Sequence, residues 1–243
     1  MKKVAIITGA SRGIGAATAK LLAENGYAVC VNYNQDADNA EKLKKDILAT
    51  GGEAIAVQAN VGKEEDILRL FKTVDEALGP VTLLVNNAGT NGGNTQVENI
   101  TLNQLQDVFS TNVYGTFIAS REAVKRMKQN GGGSIINISS EAAKFGGNNL
   151  AHYAASKAAI NTFTIGFARE VAAYRIRVNT ISPGVINTEI HANATPERIN
   201  TLMKSIPMGR MGDTMEIAQA IKWLASDHAS YISGAIIPIT GSR

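Results

Sequence analysis

The sequence predicts an α/β fold, a single-domain Rossmann fold with a doubly wound parallel sheet of about seven strands and helices on both faces. Three observations predict it. Short runs rich in Val, Ile, Leu and Ala alternate with helical patterns along the whole chain. These runs are almost continuously apolar, as expected for strands buried on both faces of a parallel sheet. A glycine-rich segment follows the first run, where a dinucleotide-binding fold has its first strand-to-helix turn.

The predicted strands and helices alternate from end to end. Strands are expected at Lys3–Thr8, Ala28–Tyr33, Ala54–Ala59, Leu83–Asn86, Ser134–Ser139, Arg177–Ile181 and Ala235–Ile239. Helices are expected at Gly13–Asn25, Asp38–Thr50, Glu64–Leu78, Leu102–Lys128, Tyr153–Ala173 and Met215–Ser226. Asp213 and Thr214 supply an N-cap signal for the last helix. In that helix Trp223 follows Ile217 and Ala220 at helical spacing, which predicts that it packs in the core.

One stretch breaks the alternation. Between Thr188 and Arg210 the chain carries His191 and the two prolines Pro196 and Pro207. Two interpretations stay open for it. It is either a segment that covers the substrate at the carboxyl ends of the strands, where ligands bind in open α/β sheets, or an ordinary surface connection.

Composition narrows the classes of function. The chain has 243 residues, 44% hydrophobic and 19% charged, and a net charge of +3 with Lys and Arg scattered along it. A chain of this length forms one α/β unit, so a single dinucleotide-binding and catalytic domain over 1–243 is predicted. The scattered charge indicates no nucleic-acid partner. No apolar run reaches the length of a membrane span and no secretion signal precedes Val4, so we expect a cytoplasmic protein without a membrane partner.

Cysteine and histidine suggest no redox or metal chemistry. The single cysteine, Cys30, lies in an apolar run and is expected to be a small buried hydrophobic residue. His152, His191 and His228 are far apart and lack the spacing of metal ligands. We therefore predict no metal site.

A phosphate-binding turn is predicted at Thr8–Gly15. It reads Thr-Gly-Ala-Ser-Arg-Gly-Ile-Gly and joins the first strand to the first helix. Glycines permit unusual backbone angles and let the main chain approach a pyrophosphate. The helix that follows presents free N–H groups and a partial positive charge to the anion. The spacing departs from the common fingerprint, and a tight turn without a ligand is the alternative.

The end of the second predicted strand bears on the choice of cofactor. An NAD site usually has an acidic residue there, which holds the ribose hydroxyls. This chain reads Val31-Asn32-Tyr33-Asn34, with no acidic residue before Asp36, and Arg12 in the turn could face a 2′-phosphate. The sequence therefore favours NADP(H), while NAD(H) remains possible.

A candidate acid/base pair, Tyr153 and Lys157, begins a long apolar helix. A spacing of four places both side chains on one helical face. A neighbouring ammonium is expected to lower the pKa of the phenol, as proton transfer to or from an alcohol requires. Ser140 ends one strand and Asn112 lies in another helical pattern, and both are expected near the pair at the carboxyl edge of the sheet.

In its ordered motifs the sequence resembles the short-chain dehydrogenase/reductase family along essentially the whole chain. The motifs that carry the resemblance are Thr8–Gly15, Asn86–Gly89, Asn112, Ser140, Tyr153 with Lys157, and Pro183–Thr188. The resemblance implies catalytic roles for four of them. Tyr153 would transfer the proton, Lys157 would lower its pKa and hold the nicotinamide ribose, Ser140 would bind the substrate oxygen, and Asn112 would help position a water in a proton relay. Ser139 is expected to be structural.

The resemblance also implies a cofactor site. The residues expected to hold the dinucleotide are Gly9, Ser11, Arg12, Gly13, Ile14, Gly15, Tyr33, Asn34, Asn60, Val61, Asn87, Ala88, Gly89, Tyr153, Lys157, Pro183, Gly184, Ile186 and Thr188. By the same resemblance, Asn87, Ala88 and Gly89 would line the adenine side, and Pro183, Gly184, Ile186 and Thr188 would line the nicotinamide side. Two departures stand out. Asn60 occupies a position that is often acidic, where its amide oxygen can still accept a hydrogen bond from an adenine. The chain reads Pro238-Ile-Thr-Gly-Ser-Arg243 where relatives commonly carry Gly-Gly.

The substrate is less well defined. The chain resembles both 3-oxoacyl-[acyl-carrier-protein] reductases and glucose 1-dehydrogenase-like oxidoreductases. The stretches Asn130–Gly133 and Ala173–Arg175 lack basic residues at the positions expected where an acidic carrier docks, although Lys125, Arg126, Lys128 and Arg175 lie close by. We therefore favour a small-molecule alcohol or carbonyl substrate, with the carrier-linked reductase as the alternative. The pocket is expected from the loops Asn91–Gln96, Glu141–Ala151 and Thr188–Arg210.

Two further expectations concern the protein as a whole. A non-catalytic, dinucleotide-binding regulator is the alternative from another class of function, but such a protein would be expected to lose Ser140, Tyr153 or Lys157, and all three are present. The helical patterns Leu102–Lys128 and Tyr153–Ala173 pair between subunits in relatives, which predicts a homotetramer.

Overall fold

A computed structural model describes residues 2–189 and 202–243 of the chain. Seven parallel strands form one sheet in the order β3-β2-β1-β4-β5-β6-β7. The strands are β1 (Lys3–Ile7), β2 (Tyr27–Tyr33), β3 (Glu53–Gln58), β4 (Leu83–Asn86), β5 (Gly133–Ile138), β6 (Ile176–Pro183) and β7 (Ile236–Ile239). The predicted fold class is confirmed, and the strand boundaries differ from those predicted by at most two residues.

Eight α-helices of the described residues join and cover these strands. They are α1 (Gly13–Glu24), α2 (Ala37–Ala49), α3 (Glu64–Ala77), α4 (Leu102–Phe109), α5 (Gly115–Gln129), α6 (Ala142–Phe145), α7 (Ala151–Val171) and α8 (Thr214–Ala225). The N-cap signal before α8 is confirmed, because Asp213 and Glu216 form a reciprocal capping box. None of these helices is both long and apolar enough to cross a membrane.

Both faces of the sheet are buried, which explains the nearly continuous apolar strands. Alternate residues of β1 point to opposite faces, so Val4 and Ile6 join one core cluster while Ala5 and Ile7 join the other. Cys30 lies in the first cluster, fully buried as predicted, and burial raises the pKa of its thiol above the ordinary range.

The long helix predicted at Leu102–Lys128 is interrupted. A π-helical segment, Ser110–Tyr114, separates α4 from α5. The chain stays helical through this segment, which is why hydrophobic periodicity alone does not reveal the interruption. Four short elements of the described residues were also not predicted: α6, and 3₁₀ turns at Val97–Asn99, Ala172–Tyr174 and Asp227–Ala229.

The expectation for Trp223 was wrong. Its side chain is 45% exposed, whereas Ile217, Ile221 and Leu224 form the fully buried face of α8. A helical spacing of three from Ala220 places a residue near the edge of an apolar stripe, and here that edge lies outside the core.

The strand order reverses between β1 and β4, and ligands bind at such a switch point in open α/β sheets. The glycine turn follows β1 and the Asn87–Gly89 segment follows β4, so the two lie side by side at the carboxyl edge. Most of the irregular stretch that begins at Thr188, including His191 and Pro196, lies outside the described residues.

Candidate active site at the carboxyl edge of the sheet

The glycine turn has the backbone conformation that its sequence predicts. Gly9 and Gly13 have φ angles of +62° and +57°, in the left-handed region that favours glycine. A Cβ atom on Gly15 would lie 2.5 Å from the carbonyl oxygen of Gly9 and 2.6 Å from Nδ2 of Asn87. The turn therefore needs these glycines to bring helix α1 close to the ends of β1 and β4.

The segment after β4 holds the glycine turn in place. Asn87 Nδ2 donates to the carbonyl oxygens of Thr8 and Gly9, at 2.9 Å each. Thr8 Oγ1 accepts from the amides of Asn87 and Ala88, at 3.0 Å each. These contacts make the Asn87 side chain a support of the turn and leave the backbone of Ala88 and Gly89 at the edge of the crevice.

Asn32, at the end of β2, also supports the turn. Its Oδ1 accepts from the amide of Gly9 at 3.2 Å, and its Nδ2 donates to the carbonyl oxygen of Ala59 at 3.0 Å. The side chain is 1% exposed. The end of β2, where an NAD site often has an acidic residue, therefore carries the side-chain amide of Asn32, which links β1, β2 and β3.

Arg12 and Asp36 form a surface ion pair beside this strand end, with 3.7 Å between Arg12 Nη1 and Asp36 Oδ2. Arg12 is 65% exposed. Hydrogen bonds from Asn39, with the charge of Arg12 and a contact from Ser11, lower the pKa of Asp36. Tyr33 and Asn34 lie between these groups along the chain, at the end of β2. An ionised carboxylate thus lies next to the cation that the sequence assigned to a 2′-phosphate.

Asn60 and Val61 lie where β3 ends, on the side expected for the adenine. Asn60 Oδ1 accepts from the amide of Gly62 at 2.9 Å, and the amide of Asn60 donates to Asp66 at the same distance. A carbonyl oxygen has two lone pairs, so Asn60 keeps acceptor capacity for a ligand. Val61 is buried.

Tyr153 and Lys157 lie one turn apart on α7. Lys157 is 4% exposed, its Nζ donates to the carbonyl oxygen of Ile138 at 2.8 Å, and burial lowers the pKa of its ammonium to about 8. Its Nζ lies 5.8 Å from the centroid of the Tyr153 ring. The ammonium is therefore at the end of β5, close to the phenol.

The expected direction for the pKa of Tyr153 is not observed. Burial raises the pKa of the phenol, and a hydrogen bond with the side chain of Ser140 acts in the opposite direction. Sequence reasoning considered the charge of Lys157 and left out the desolvation of the half-buried ring. Ser139 fits its expected structural role, since its hydroxyl is buried and donates to the carbonyl oxygen of Lys157 at 3.1 Å.

Asn112 lies in the π-helical segment and is 1% exposed. Its Nδ2 donates to the carbonyl oxygen of Thr90 and to Ser156 Oγ, while its Oδ1 accepts from the amide of Thr90, at 2.9 Å in each case. A Cβ atom on Gly89 would lie 3.3 Å from both Asn112 Oδ1 and Lys157 Nζ. Because Gly89 has no side chain, the space next to Asn112 Oδ1 and Lys157 Nζ stays open.

The segment after β6 completes the crevice. Gly184 follows Pro183 at the strand end, and Ile186 pairs with Gly212 in an isolated bridge. A Cβ atom on Gly13 would lie 3.5 Å from Thr188 Cγ2, so the far end of this segment reaches the glycine turn. The predicted nicotinamide side and the predicted phosphate side are thus continuous.

These residues fit a dinucleotide in their geometry. A Cβ atom at Gly9, Gly15 or Gly89 would fill space that the backbone leaves against neighbouring elements, and helix α1 directs its first amides toward the same edge. Among the described residues, no cluster of three or more His, Cys, Asp and Glu side chains could hold a metal ion.

Comparisons with known proteins agree with this geometry. A family model described as enoyl-(acyl carrier protein) reductase matches residues 9–241. The chain is 46% identical over 245 residues to the uncharacterized oxidoreductase YgfF of Escherichia coli K12, covering 99% of both chains. The chain belongs to the short-chain dehydrogenase/reductase family. It is therefore an oxidoreductase by family.

Other members of the short-chain dehydrogenase/reductase family are also similar over nearly their full length. The 3-oxoacyl-[acyl-carrier-protein] reductase FabG of Staphylococcus epidermidis is 37% identical, with 99% of this chain and 98% of the relative covered. A solved structure of a mutant short-chain dehydrogenase/reductase from Serratia marcescens is 36% identical with a TM-score of 0.93, covering 99% of this chain and 97% of the other.

Three features of this family member were not found from the sequence. Glu141, next to Ser140, is paired with Arg243 through 3.2 Å between Glu141 Oε1 and Arg243 Nε. Asp36 lies beside Arg12. His152 is 3% exposed, and both its ring nitrogens lack a hydrogen-bond partner among the described residues. Only Glu141 had a signal, as a charged residue directly after a predicted strand end.

Proposed function

We propose that the protein interconverts a carbonyl group and a secondary alcohol of a small molecule by hydride transfer, with NADP(H) as its preferred cofactor and NAD(H) as a second possibility. The observation that carries the proposal is the proximity of Tyr153, Ser140 and Lys157, in which the Ser140 side chain acts to lower the pKa of the phenol and Lys157 Nζ lies 5.8 Å from the ring centroid of Tyr153.

In this proposal Tyr153 gives a proton to the developing alkoxide during reduction and removes it during oxidation. Ser140 donates a hydrogen bond to the substrate oxygen and holds it beside the phenol. The reduced nicotinamide supplies the hydride when it is bound. A phenol whose pKa is raised by burial keeps its proton at neutral pH, which suits it to act as the acid in the direction of carbonyl reduction.

Lys157 and Asn112 have supporting roles in the same proposal. The buried ammonium of Lys157 lies between the phenol and the space beside Gly89, where it can hold the ribose of the cofactor. Asn112 keeps the π-helical turn and Thr90 together, so that groups behind Lys157 can position a water for proton relay. The turn Gly9–Gly15, with Ser11, Arg12, Gly13 and Ile14, would hold the phosphates.

Replacing Tyr153 with Phe tests the proposed acid. Loss of one positioned proton-transfer group costs roughly 10²- to 10⁴-fold in rate, so we expect kcat of Tyr153→Phe to fall by that amount. NADPH affinity should stay similar, because the hydroxyl acts on the substrate. Assays of NADPH oxidation with a panel of ketones, sugars and acetoacetyl thioesters, and fluorescence titration of NADPH, measure the two effects.

Tyr174→Phe is the matched control. Tyr174 lies 47% exposed after the end of α7, under the ammonium of Lys128, so its hydroxyl should have no effect on turnover. Retained turnover in Tyr153→Phe would contradict the assignment of the acid. A wild-type protein that binds NADPH but reduces no member of the panel would instead favour the non-catalytic regulator.

Reduction of a 3-oxoacyl group on an acyl-carrier protein is a second candidate function, favoured by the similarity to FabG. The basic residues of α5 argue against carrier docking, because they are used within the chain. Arg126 binds Asp75 at 2.7 Å and Glu122 at 3.2 Å, and Lys125 binds Glu122 at 2.7 Å. Lys128 lies 3.8 Å above the ring of Tyr174.

The two candidates differ in how the carrier changes the rate. If the substrate is a small molecule, kcat/KM for acetoacetyl-carrier protein should not exceed that for a short acetoacetyl thioester. Salt weakens docking by charge, and neither substrate would then depend on such docking, so salt should have little effect on either value. A large preference for the carrier-linked substrate that disappears at high ionic strength would show that the carrier docks.

A further inference from the structure

The ends of β5, β6 and β7 are joined by a ring of contacts next to Ser140. The amide of Glu141 donates to the carbonyl oxygen of Pro183 at 3.0 Å, which ties the segment after β5 to the end of β6. The amide of Gly184 donates to the carbonyl oxygen of Ile239 at 2.9 Å, which ties β6 to β7. The ion pair between Glu141 and Arg243 closes the ring from the segment after β7.

The route back from β7 is built by the backbone. Gly241 and Ser242 have φ angles of +65° and +72°, which reverse the chain after Thr240. Thr240 Oγ1 donates to the carbonyl oxygen of Arg243 at 3.3 Å. A positive φ is unfavourable for serine, which indicates that the surrounding contacts hold this turn in place. The turn brings the Arg243 side chain to Glu141.

Although it forms an ion pair with Arg243, the Glu141 side chain is largely buried. Its side chain is 10% exposed, and its Oε2 is buried without a hydrogen-bond partner among the described residues. A Cβ atom on Gly184 would lie 3.0 Å from this oxygen. The carboxylate therefore lies directly against the turn on which the proposed nicotinamide side is built.

Stability does not explain this carboxylate. Burial raises the pKa of Glu141 and the charge of Arg243 only partly offsets this. Since the pKa is raised on folding, folding favours the protonated acid, and the ionised form at neutral pH makes the fold less stable. A side chain that is unfavourable for folding and lies at a reaction centre is a candidate for a functional role.

We infer that the Glu141–Arg243 ion pair positions the Ser140 turn against the Pro183–Gly184 turn for hydride transfer. Both residues are positioning residues that act through Ser140, and the inference rests on the proposed function of Ser140. The turn itself depends on short local contacts, since Ser140 Oγ accepts from the amide of Ala142 at 3.1 Å and Ser140 O accepts from the amide of Ala143 at 3.0 Å.

The inference predicts a pH effect. Arg243 is the charged group that faces Glu141 in the described part of the chain, while Pro183, Gly184 and Thr240 are uncharged. As the pH falls, Glu141 takes up a proton, the ion pair is lost and the Ser140 turn loosens. The kcat of the wild-type protein should therefore fall on the acidic side, and Glu141→Gln should lack this fall.

The test compares Glu141→Gln, Arg243→Gln and the double variant with the wild-type protein bound to NADPH. Because small misplacement of a reacting group is costly, we expect kcat to fall about tenfold in all three, with no further fall in the double variant. The KM for NADPH should change by less than about threefold. Arg243→Lys, which keeps the charge, should restore part of kcat.

Two measurements do not depend on turnover. Amide hydrogen exchange at Glu141, Ala142 and Ala143 should be faster in Arg243→Gln than in the wild-type protein. In thermal unfolding at neutral pH, Glu141→Gln should melt no lower than wild type, and Arg243→Gln should melt below the double variant. Arg121→Gln, which breaks the ion pairs that Arg121 of α5 forms with Glu64 of α3 and with Glu122, is the control and should change neither kcat nor this exchange.

The outcomes separate this inference from the proposed function. If Tyr153→Phe is inactive while Glu141→Gln and Arg243→Gln keep the wild-type kcat, the positioning role is wrong and the proposed function stands. If Glu141→Gln loses kcat and melting temperature together, the pair is structural and the inference fails. If the wild-type protein reduces nothing, the proposed function fails. In that case the amide exchange still tests the positioning role, and unchanged exchange in Arg243→Gln would refute it.

Discussion

Lys157 is 4% exposed and its ammonium donates to the carbonyl oxygen of Ile138. Burial lowers the pKa of Lys157 to about 8 from an ordinary value near 10.5. Because this pKa is depressed on folding, the fold binds a proton less readily than the unfolded chain does. Stability should therefore rise as the pH rises from about 8 toward 10.5.

Lys157→Met should stabilise the protein at pH 7 while abolishing its proposed activity. Removing the cost of the buried charge contributes about 3 kcal/mol, and the lost hydrogen bond to Ile138 takes back about 1 kcal/mol, so the expected gain is about 2 kcal/mol. Urea unfolding at pH 7 and at pH 10 measures it, and the gain should shrink at the higher pH. Lys42→Met, at a 74% exposed side chain, is the control. A less stable Lys157→Met at pH 7 would contradict this account.

The Arg12–Asp36 pair modifies the expected choice of cofactor. An ionised Asp36 repels a 2′-phosphate and engages the cation that would bind it. Arg12→Ala should erase the preference for NADPH over NADH. Asp36→Asn should raise NADPH affinity about threefold to fivefold, an effect of the size expected for an exposed pair, and asparagine keeps the N-cap of α2.

Fluorescence titrations of NADPH and NADH with both variants measure these affinities. The changes should weaken as salt is added, because the groups are exposed. Equal affinity of the unmodified protein for the two cofactors would refute the role of Arg12.

Among the single elements, the π-helical segment and α7 depend on each other. Asn112 reaches Ser156 across the gap between them, and Ser156 Oγ in turn donates to the carbonyl oxygen of Tyr153 at 2.7 Å. The extra residue of a π turn re-aims one side chain within a helix, which is why such turns are frequent at functional sites. The interruption of the predicted helix therefore lies next to the residues proposed for proton transfer.

A buried polar chain joins the sheet to the helices on one side. Asn137 on β5 accepts from Asn86 Nδ2 on β4 at 2.8 Å and donates to Thr164 Oγ1 on α7 at 2.8 Å. Asn86 also donates to Ser120 of α5, and Thr164 bonds Thr180 of β6. Each member is hydrogen-bonded, so the chain fixes how α5 and α7 lie on the sheet.

Asn137→Ala should lower the free energy of unfolding by about 2 to 3 kcal/mol, because it leaves a cavity and weakens the bonding of Asn86 and Thr164. Urea unfolding at neutral pH measures the loss. Asn103→Ala, at an exposed position of α4, should change the same quantity by less than about 0.5 kcal/mol. Similar values for the two variants would show that the polar chain contributes little.

At the scale of the whole molecule, two apolar surfaces bear on the predicted homotetramer. On α5 and α7 the rings of Phe117, Phe163 and Phe167 stack in a row, with centroids 3.8 Å and 4.9 Å apart, and Phe117 is 45% exposed. On the other face of the sheet, Trp223 of α8 is 45% exposed. Two separate apolar faces suit a closed tetramer of twofold symmetry better than a dimer.

We therefore expect the mass of a tetramer in analytical ultracentrifugation at micromolar concentration. Phe117→Asp should reduce the assembly to a smaller species, because it places a charge in the ring stack. Lys72→Asp, at a 76% exposed side chain of α3, should leave it unchanged. A monomeric mass for the unmodified protein would overturn the prediction.

Much of the fold follows from periodicity in the sequence. The strands are apolar on both sides, so their positions and parallel direction were predictable, and the ends of parallel strands meet at one edge. That is why Ser140, Tyr153, Lys157 and the glycine turn could be expected together. Trp223 could not be placed, because the same spacing fits the centre or the edge of an apolar stripe.

The doubly wound sheet, the glycine turn and the set of groups proposed for proton transfer follow from the amino-acid order, because each depends on local spacing or on strand ends that the topology must bring together. The desolvation of Tyr153 and Lys157, the position of Asp36 beside Arg12 and the contact of Arg243 with Glu141 became visible in three dimensions. Those properties depend on which distant segments exclude water from a side chain or face it with a charge, and spacing along the chain carries no record of that.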